Sequence, residues 1–121
     1  PYCHVKDFAR LILLISKSPI DVVNKEVYNA GSDLNNFTKK DVINAIQKQL
    51  NKNINIKFLE KGKDPRNYKV NFNKVKSKLG FNTSFTLIDG INEIINYIEN
   101  NKDIENFTEN KFGNYFINDD K

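Results

Sequence analysis

Three side chains near the middle of the chain could bind an anion: Asp64, Arg66 and Tyr68. Pro65 restrains this loop, because proline fixes its own φ angle and holds the preceding residue extended. Arg66 is one of only two arginines, the other being Arg10, in a chain that otherwise uses lysine for positive charge. A guanidinium can bind a phosphate or carboxylate with two hydrogen bonds, whereas an ammonium acts as a point charge. We therefore predict an anion-binding loop. The alternative is a surface ion pair between Asp64 and Arg66, which would contribute little.

The residues on both sides of this loop have patterns that would anchor it. Residues 54–59 alternate between apolar and other side chains, which predicts a strand leading into the loop. After the loop, a short extended segment and a helix are expected to bury Val70, Phe72, Val75 and Leu79, and Gly80 to end that helix in the left-handed conformation. Arg66 would therefore be held by packed elements.

Three segments of the chain match motifs of one enzyme family, in the same order along the sequence. Tyr2 to Asp7 reads Y-C-H-V-K-D, Tyr28 to Ser32 reads Y-N-A-G-S, and the stretch from Asp64 contains D-x-R-x-Y-x-V, then L-G-F and D-G-I-x-E. In these segments the chain resembles the extended short-chain dehydrogenase/reductase family, the NAD-dependent epimerases and dehydratases of nucleotide sugars. The resemblance covers nearly the whole chain and implies the C-terminal, substrate-binding part of such an enzyme.

The resemblance also implies roles and partners. Arg66 would grip the diphosphate or ribose of a nucleoside diphosphate sugar, Tyr68 would lie near the same site, and Asp64 would orient the arginine or contact the ribose. NAD or NADP would be bound by an N-terminal Rossmann domain outside this chain, because no glycine-rich phosphate-binding turn precedes a helix here. This part alone is expected to be inactive. Enzymes of the family are often dimers, so the resemblance also implies a possible homodimer of the full-length protein.

We predict no catalytic residue and no metal ligand in this chain. Tyr2 and Lys6 have the spacing of the family's Tyr-x-x-x-Lys pair, but Tyr2 is expected in an extended segment and Asp7 as the cap of the next helix. The two side chains would then not share a helical face. Cys3 and His4 are the only cysteine and histidine, which leaves no zinc-ligand spacing and no nucleophile with a base. His4 is expected to be a strand-end residue hydrogen-bonded to its neighbours.

The predicted fold class is α+β: a small mixed α/β substrate-binding lobe with short strands and about four helices, lacking the Rossmann cofactor domain. A largely buried helix is expected from Asp7 to Ser16, and a strand from Glu26 to Ala30. Thr38 and Thr86 are expected to cap two further helices. Residues 1–100 would form the lobe and residues 101–121 a polar tail without periodicity.

Composition narrows the function classes. The chain has 121 residues, a hydrophobic fraction of 39% and a formal net charge of +4. A chain of this size buries only about two-thirds of its unfolded surface, so some apolar surface should face a missing partner domain. The lysines form no dense block, which disfavours nucleic-acid binding. No apolar run approaches the roughly 20 residues that span a bilayer. A lone cysteine suits a reducing cytoplasm.

Two other functions stay open at this stage. The chain could be a stand-alone nucleotide-binding domain, or a protein-interaction domain without catalysis. Because it contains no methionine, we expect Pro1 to mark a cut within a longer protein.

Overall fold

The structure, a computed structural model, describes residues 1–52, 54–56 and 68–101. These residues form five α-helices: α1 (Val5–Lys17), α2 (Ile20–Val23), α3 (Lys39–Leu50), α4 (Asn73–Leu79) and α5 (Leu87–Asn100). A 3₁₀ helix at Asp33–Asn35 precedes α3. Of the described residues, 60% are helical and none lies in a β-strand. The predicted α+β fold with short strands is therefore wrong for this part of the chain, which is helical.

Neither predicted strand is present where the structure describes the chain. Residues 26–30 have no regular secondary structure, and the same is true of residues 54–56. Residues 57–59 of the second predicted strand lie outside the described residues. Alternation of apolar and polar side chains indicates burial of one side, but a strand also needs neighbouring backbone to pair with.

Asparagine side chains supply the hydrogen bonds that a neighbouring strand would have supplied. The Asn36 amide donates to the carbonyl oxygen of Val70 at 2.9 Å and accepts from the N–H of Val70 at 3.1 Å. The Asn29 amide donates to the carbonyl oxygen of Asn71 at 3.2 Å. Because both backbone groups of Val70 are satisfied in this way, the extended segment before α4 is fixed without a sheet.

Capping explains where three of the helices begin or end. Thr38 and Thr86 cap α3 and α5, as the sequence predicted, and each belongs to a capping box, with Asp41 and Asp89 respectively. The hydrogen bonds from Thr38 and Thr86 lower the pKa of the Asp41 and Asp89 carboxyls. Gly80 ends α4 with a φ of +64°, also as predicted.

Helix α1 begins earlier than predicted, and Asp7 does not cap it. His4 is the N-cap, because its Nδ1 accepts a hydrogen bond from the N–H of Lys6 at 3.2 Å. Asp7 lies in the first turn of the helix, and its side chain is 0% exposed. The sequence pattern predicted that this carboxylate would cap its own helix, whereas it binds another part of the chain.

The Asp7 carboxylate binds the backbone just before α5. It accepts the N–H of Ser84 at 3.0 Å and the N–H of Phe85 at 3.0 Å. Arg10, one turn further along α1, donates to the Asp7 carboxylate and to the Ser84 hydroxyl, both at 2.5 Å. The guanidinium also lies 5.8 Å from the centre of the Phe81 ring. A buried carboxylate with these partners joins α1 rigidly to the start of α5.

The hydrophobic core joins one side of α1 to α4 and the loops around it. Its buried members are Leu11, Phe72, Val75 and Phe81, with half-buried Leu14, Ile15, Tyr28, Ala30, Val70 and Leu79 packed around them. The predicted burial of the segment from Val70 to Leu79 is thus confirmed. The predicted burial of α1 is wrong on its other side, where Phe8 is 50% exposed and Ile12 54%.

Gly31 is required where the chain passes over the core. Its φ is +145°, and a Cβ added to it would lie 2.8 Å from Cε1 of Phe72. Glycine adopts such a φ without steric cost, and it lets the backbone lie directly against the ring.

Replacing Gly31 by alanine is expected to lower the free energy of unfolding by about 1 to 3 kcal/mol, because the methyl group strains the backbone and overlaps Phe72. Gly80→Ala is the matched control, since its φ is also positive but nothing lies within 4 Å of an added Cβ. It should cost about 1 kcal/mol. Urea denaturation measures both, and an equal or smaller loss for Gly31→Ala would contradict the close packing.

Replacing Asp7 by asparagine is expected to cost about 2 to 4 kcal/mol, because an amide nitrogen would face two N–H donors and Arg10 would lose its anion. Asp21→Asn, on the exposed first turn of α2, should change stability by less than about 0.5 kcal/mol. Thermal and urea unfolding of the two variants give the comparison. Similar stabilities would show that the Asp7 carboxylate does not join α1 to α5.

Candidate functional site

Of the three predicted substrate-binding residues, the structure describes only Tyr68. Tyr68 is 59% exposed, immediately before the segment that Asn36 holds. Asp64 and Arg66 lie outside the described residues, so their predicted roles stay predictions. The predicted tail from residue 102 onward lies outside the described residues as well.

A polar pocket of 400 Å³ is lined by the residues that directly follow Tyr68 in the sequence. Its lining combines one carboxylate, one ammonium and two amides, from the residues Asp33, Asn36, Lys69, Val70 and Asn71. These groups can donate and accept hydrogen bonds in the way that a ribose or a phosphate oxygen requires. The described part of the predicted binding segment therefore contributes directly to a polar cavity.

Sequence reasoning missed the residues that position this pocket. Asn36 and Asn29 fix the backbone of Val70 and Asn71, as described above, and Asp33 begins the 3₁₀ helix. The frequent asparagines were a signal, because this side chain bonds readily to nearby backbone. The sequence could not say which backbone each would reach.

An ion pair joins α4 to the segment that contains Glu26 and Tyr28. Lys74 on α4 donates to Glu26 at 2.5 Å and lies 5.0 Å from the centre of the Tyr28 ring. The hydrogen bond from Lys74 lowers the pKa of Glu26. Both side chains are about half-exposed, so the pair orients the chain more than it stabilises it.

A larger cleft of 650 Å³ lies between the N-terminal segment, α3 and α5. We call it the α3–α5 cleft. Its walls are mainly apolar and include Tyr2, Val42, Ile46, Leu87, Ile91 and Ile94. Helix α5 carries an apolar stripe that includes Leu87, Ile91 and Ile94. Ile91 is 6% exposed, whereas Ile94 is 62% exposed. Only the first part of the stripe is therefore core in the described structure.

A small polar cluster closes one side of the α3–α5 cleft. Glu93 accepts a hydrogen bond from Lys6 at 2.6 Å, and its other oxygen lies 3.2 Å from Nε2 of His4. Because Nδ1 of His4 accepts the Lys6 N–H, Nε2 is the nitrogen that donates to Glu93. The His4 ring stacks on Phe85, with centroids 4.3 Å apart and planes at 19°. Lys6, more than His4, lowers the pKa of Glu93.

This arrangement bears on two sequence-based predictions, the hydrogen bonding of His4 and the relative placement of Tyr2 and Lys6. His4 is hydrogen-bonded to its neighbours, as predicted, although it precedes a helix and not a strand. Tyr2 lies before α1 while Lys6 lies in its first turn, so the two do not share a helical face. The predicted rejection of Tyr2 and Lys6 as a catalytic pair is consistent with this geometry.

Among the described residues, neither of the two glycines with positive φ lies in a turn that could hold a dinucleotide. Gly31 is covered by the Phe72 ring, and Gly80 ends a helix, whereas a dinucleotide needs an open glycine turn before a helix N-terminus. Cys3 is half-buried, and burial followed by the nearby Asp7 charge raises the pKa of its thiol, which disfavours the reactive thiolate. Within the described ranges no three metal-ligating side chains cluster.

Comparisons of the chain with protein-family models, with curated proteins and with solved structures found no match. Among the described helices, none is both long enough and apolar enough to cross a membrane.

Glu93 is expected to make stability depend on pH. Its pKa is lowered on folding, so its contribution is complete above the unfolded value near 4.5 and is lost as the pH falls through the lower folded value. Wild type should therefore be more stable than Glu93→Gln at about pH 7, and the difference should shrink as the pH falls below 4.5. Urea unfolding at a series of pH values measures this difference.

Glu99→Gln provides the control on the same helix, because Glu99 is exposed and lies outside the cluster. Its stability relative to wild type should not vary with pH in the way that Glu93→Gln does. A pH-independent difference for Glu93→Gln would mean that the bond to Lys6 does not act in solution.

Proposed function

We propose that this chain is the substrate-binding part of an NAD- or NADP-dependent nucleotide-sugar epimerase or dehydratase. In this proposal Arg66 binds the diphosphate or ribose of a nucleoside diphosphate sugar. Tyr68 and Asp64 lie at the same site. The cofactor and the hydride transfer belong to a domain outside this chain, and the whole protein acts in the cytoplasm. A homodimer of the whole protein is part of the same proposal.

The observation that carries this proposal is that the family-like motifs contact one another. His4, from the Y-x-H-V-x-D segment, reaches Glu93 of the D-G-I-x-E segment at 3.2 Å. Gly31, from the Y-N-x-G-S segment, lies against Phe72, just after the D-x-R-x-Y-x-V segment. Three chance matches to short motifs would have no reason to contact one another in the fold. Contacts between the motifs therefore favour a common origin of the three segments in one scaffold.

The same contacts identify which motif residues are left for a ligand. His4, Asp7, Gly31 and Asp89 each have a structural task in the fold. Tyr68 is 59% exposed and directly precedes Lys69, which lines the polar pocket, so its side chain is free of a core role. By binding the nucleotide half of the substrate, this lobe would position the sugar for hydride transfer, and that would be its main contribution.

Exposed apolar side chains support a further domain in contact with α1. Val5 is 73% exposed, Phe8 50% and Ile12 54%, and they form one stripe on the helix face next to Leu11. Leu13, at 54%, adds to the exposed apolar side chains of α1, and such clusters mark interaction surfaces. A cofactor domain would cover this stripe.

The same stripe favours a second candidate function, a protein-interaction domain without catalysis. Such a domain would use the α1 surface for a partner and would not need a nucleotide. Nucleotide dependence separates the two functions.

The decisive experiment isolates the protein at its native length from the source cell and measures its intact mass and its nicotinamide absorbance. The proposal expects a mass more than twice the 14.1 kDa of this chain, with cofactor bound or bindable. Arg66→Ala in that protein should raise the Kd for the nucleoside diphosphate sugar by about tenfold or more, because it removes a charged, two-point hydrogen bond.

Two variants make this result specific. Arg66→Lys keeps the charge but loses the two-point geometry, so it should recover only part of the affinity. Lys48→Ala removes an exposed cation on α3 and should leave the Kd unchanged. A protein of 14.1 kDa with no nucleotide affinity would support the interaction domain instead.

A further inference from the structure

The α3–α5 cleft has no task in the proposed function, although its volume of 650 Å³ lies in the range of small-molecule sites. No described residue lines both this cleft and the polar pocket. On its α5 wall, Ile94 is 62% exposed and Tyr97 61%. The cleft is therefore a second, separate cavity with apolar surface open to a ligand.

One lining residue, Asn35, has a buried amide without a partner among the described residues. Asn35 is only 8% exposed. Its backbone groups are both paired, the N–H with the carbonyl oxygen of Ser32 and the carbonyl oxygen with the N–H of Tyr2, each at 2.9 Å. The side-chain amide of the next residue, Asn36, is paired at both ends. A side chain buried as deeply as Asn35 is normally paired as well, because an unpaired buried amide costs free energy.

The Asn35 amide stays within reach of a molecule in the cleft. Among the described residues, no side-chain nitrogen or oxygen is both unpaired and sealed from solvent. Since no described residue pairs with the Asn35 amide, its nitrogen and oxygen keep access to solvent. Asn35 lines the cleft, and the cleft provides this access.

Three other polar side chains of the lining already have partners. His4 uses Nδ1 for the N–H of Lys6 and Nε2 for Glu93. Lys6 compensates the charge of Glu93 at 2.6 Å. Thr86 is bound to Asp89 in the capping box. The described lining therefore offers no uncompensated charge, and a charged ligand would lose hydration without gaining a partner.

The walls and the Asn35 amide together define an uncharged ligand. Aliphatic side chains of α3 and α5 and the rings of Tyr2 and Tyr97 form most of the lining. Such walls favour a flat aromatic ring, which buries a large apolar area and has few bonds to immobilise. An asparagine amide has a donor and an acceptor side by side, so it pairs best with a group of the same kind, such as a carboxamide or a lactam.

We propose that the α3–α5 cleft binds a small uncharged aromatic molecule with a carboxamide or lactam group, and that the Asn35 amide forms two hydrogen bonds with that group. The ring lies against the apolar wall formed by Val42, Ile46 and Ile94. This binding requires no nucleotide sugar, so it can hold or fail separately from the proposed function.

Titration of the full 121-residue chain with benzamide, followed by NMR, tests the proposal. Benzamide is expected to bind with a Kd on the order of 1 mM, which suits a molecule of its size. It should shift the side-chain NH₂ signals of Asn35 and the methyl signals of Val42 and Ile46. Toluene keeps the ring but lacks the amide, and acetamide keeps the amide but lacks the ring. Each should bind about tenfold more weakly than benzamide, or worse.

Three variants locate the contacts. Asn35→Leu keeps the size of the side chain and removes the amide, so the affinity for benzamide should fall about tenfold while that for toluene does not fall. Asn44→Leu, at an exposed position of α3 outside the lining, is the matched control and should change neither affinity. Ile94→Ser shortens an exposed wall side chain and should weaken benzamide and toluene alike. Circular dichroism checks that each variant retains its helices.

Three outcomes would overturn the proposal. Equal Kd values of benzamide and toluene for wild type would mean that the Asn35 amide contributes no affinity, and this comparison holds even where Asn35→Leu does not fold. Benzamide binding that leaves the signals of Val42 and Ile46 unchanged, or that Ile94→Ser does not weaken, would place the molecule outside the cleft. Absence of binding up to about 10 mM benzamide would show that the cleft does not take this class of ligand.

Discussion

The buried Asp7 carboxylate is the contact on which the arrangement of this chain depends. A carboxylate with 0% exposure is stable only with full compensation, and here it accepts N–H groups of Ser84 and Phe85 and the guanidinium of Arg10. These bonds fix the start of α5 against α1. Phe85 is then in place for the His4 ring to stack on it, and α5 presents Glu93 to Lys6. One wall of the α3–α5 cleft follows from the same contact.

The polar pocket depends on a different device, hydrogen bonds from asparagine side chains to the backbone. Asn36 satisfies both backbone groups of Val70, and Asn29 reaches Asn71. A side-chain amide holds one residue, whereas a strand would fix several in register. The pocket is therefore fixed locally at Val70 without a β-sheet among the described residues. Tyr68 lies two residues before this fixed point and is 59% exposed.

Apolar surface remains open on two sides of the described structure. Leu11 is 2% exposed in the core, while Ile12, the next residue, is 54% exposed. Burying apolar surface stabilises a protein by about 25 cal/mol per Å². Further contacts that cover the exposed stripe of α1 or the wall of the α3–α5 cleft would therefore be favourable. The two surfaces differ in what they require. The α1 stripe is convex and suits a second domain, whereas the cleft is concave and suits an inserted ring.

The sequence alone determined the local features: the threonine caps that begin α3 and α5, the left-handed end of α4 at Gly80, and which side of the segment from Phe72 to Val75 is buried. The caps and helix ends depend on neighbouring residues only, and the buried side shows in the local apolar pattern, so each can be read from a short window. Tertiary structure decided the rest, including the absence of strands among the described residues, the partner of Asp7 and the exposed side of α1. The physical reason is that these features join residues far apart in sequence. The carboxylate of Asp7 finds its donors 77 and 78 residues away, and no local pattern carries that information.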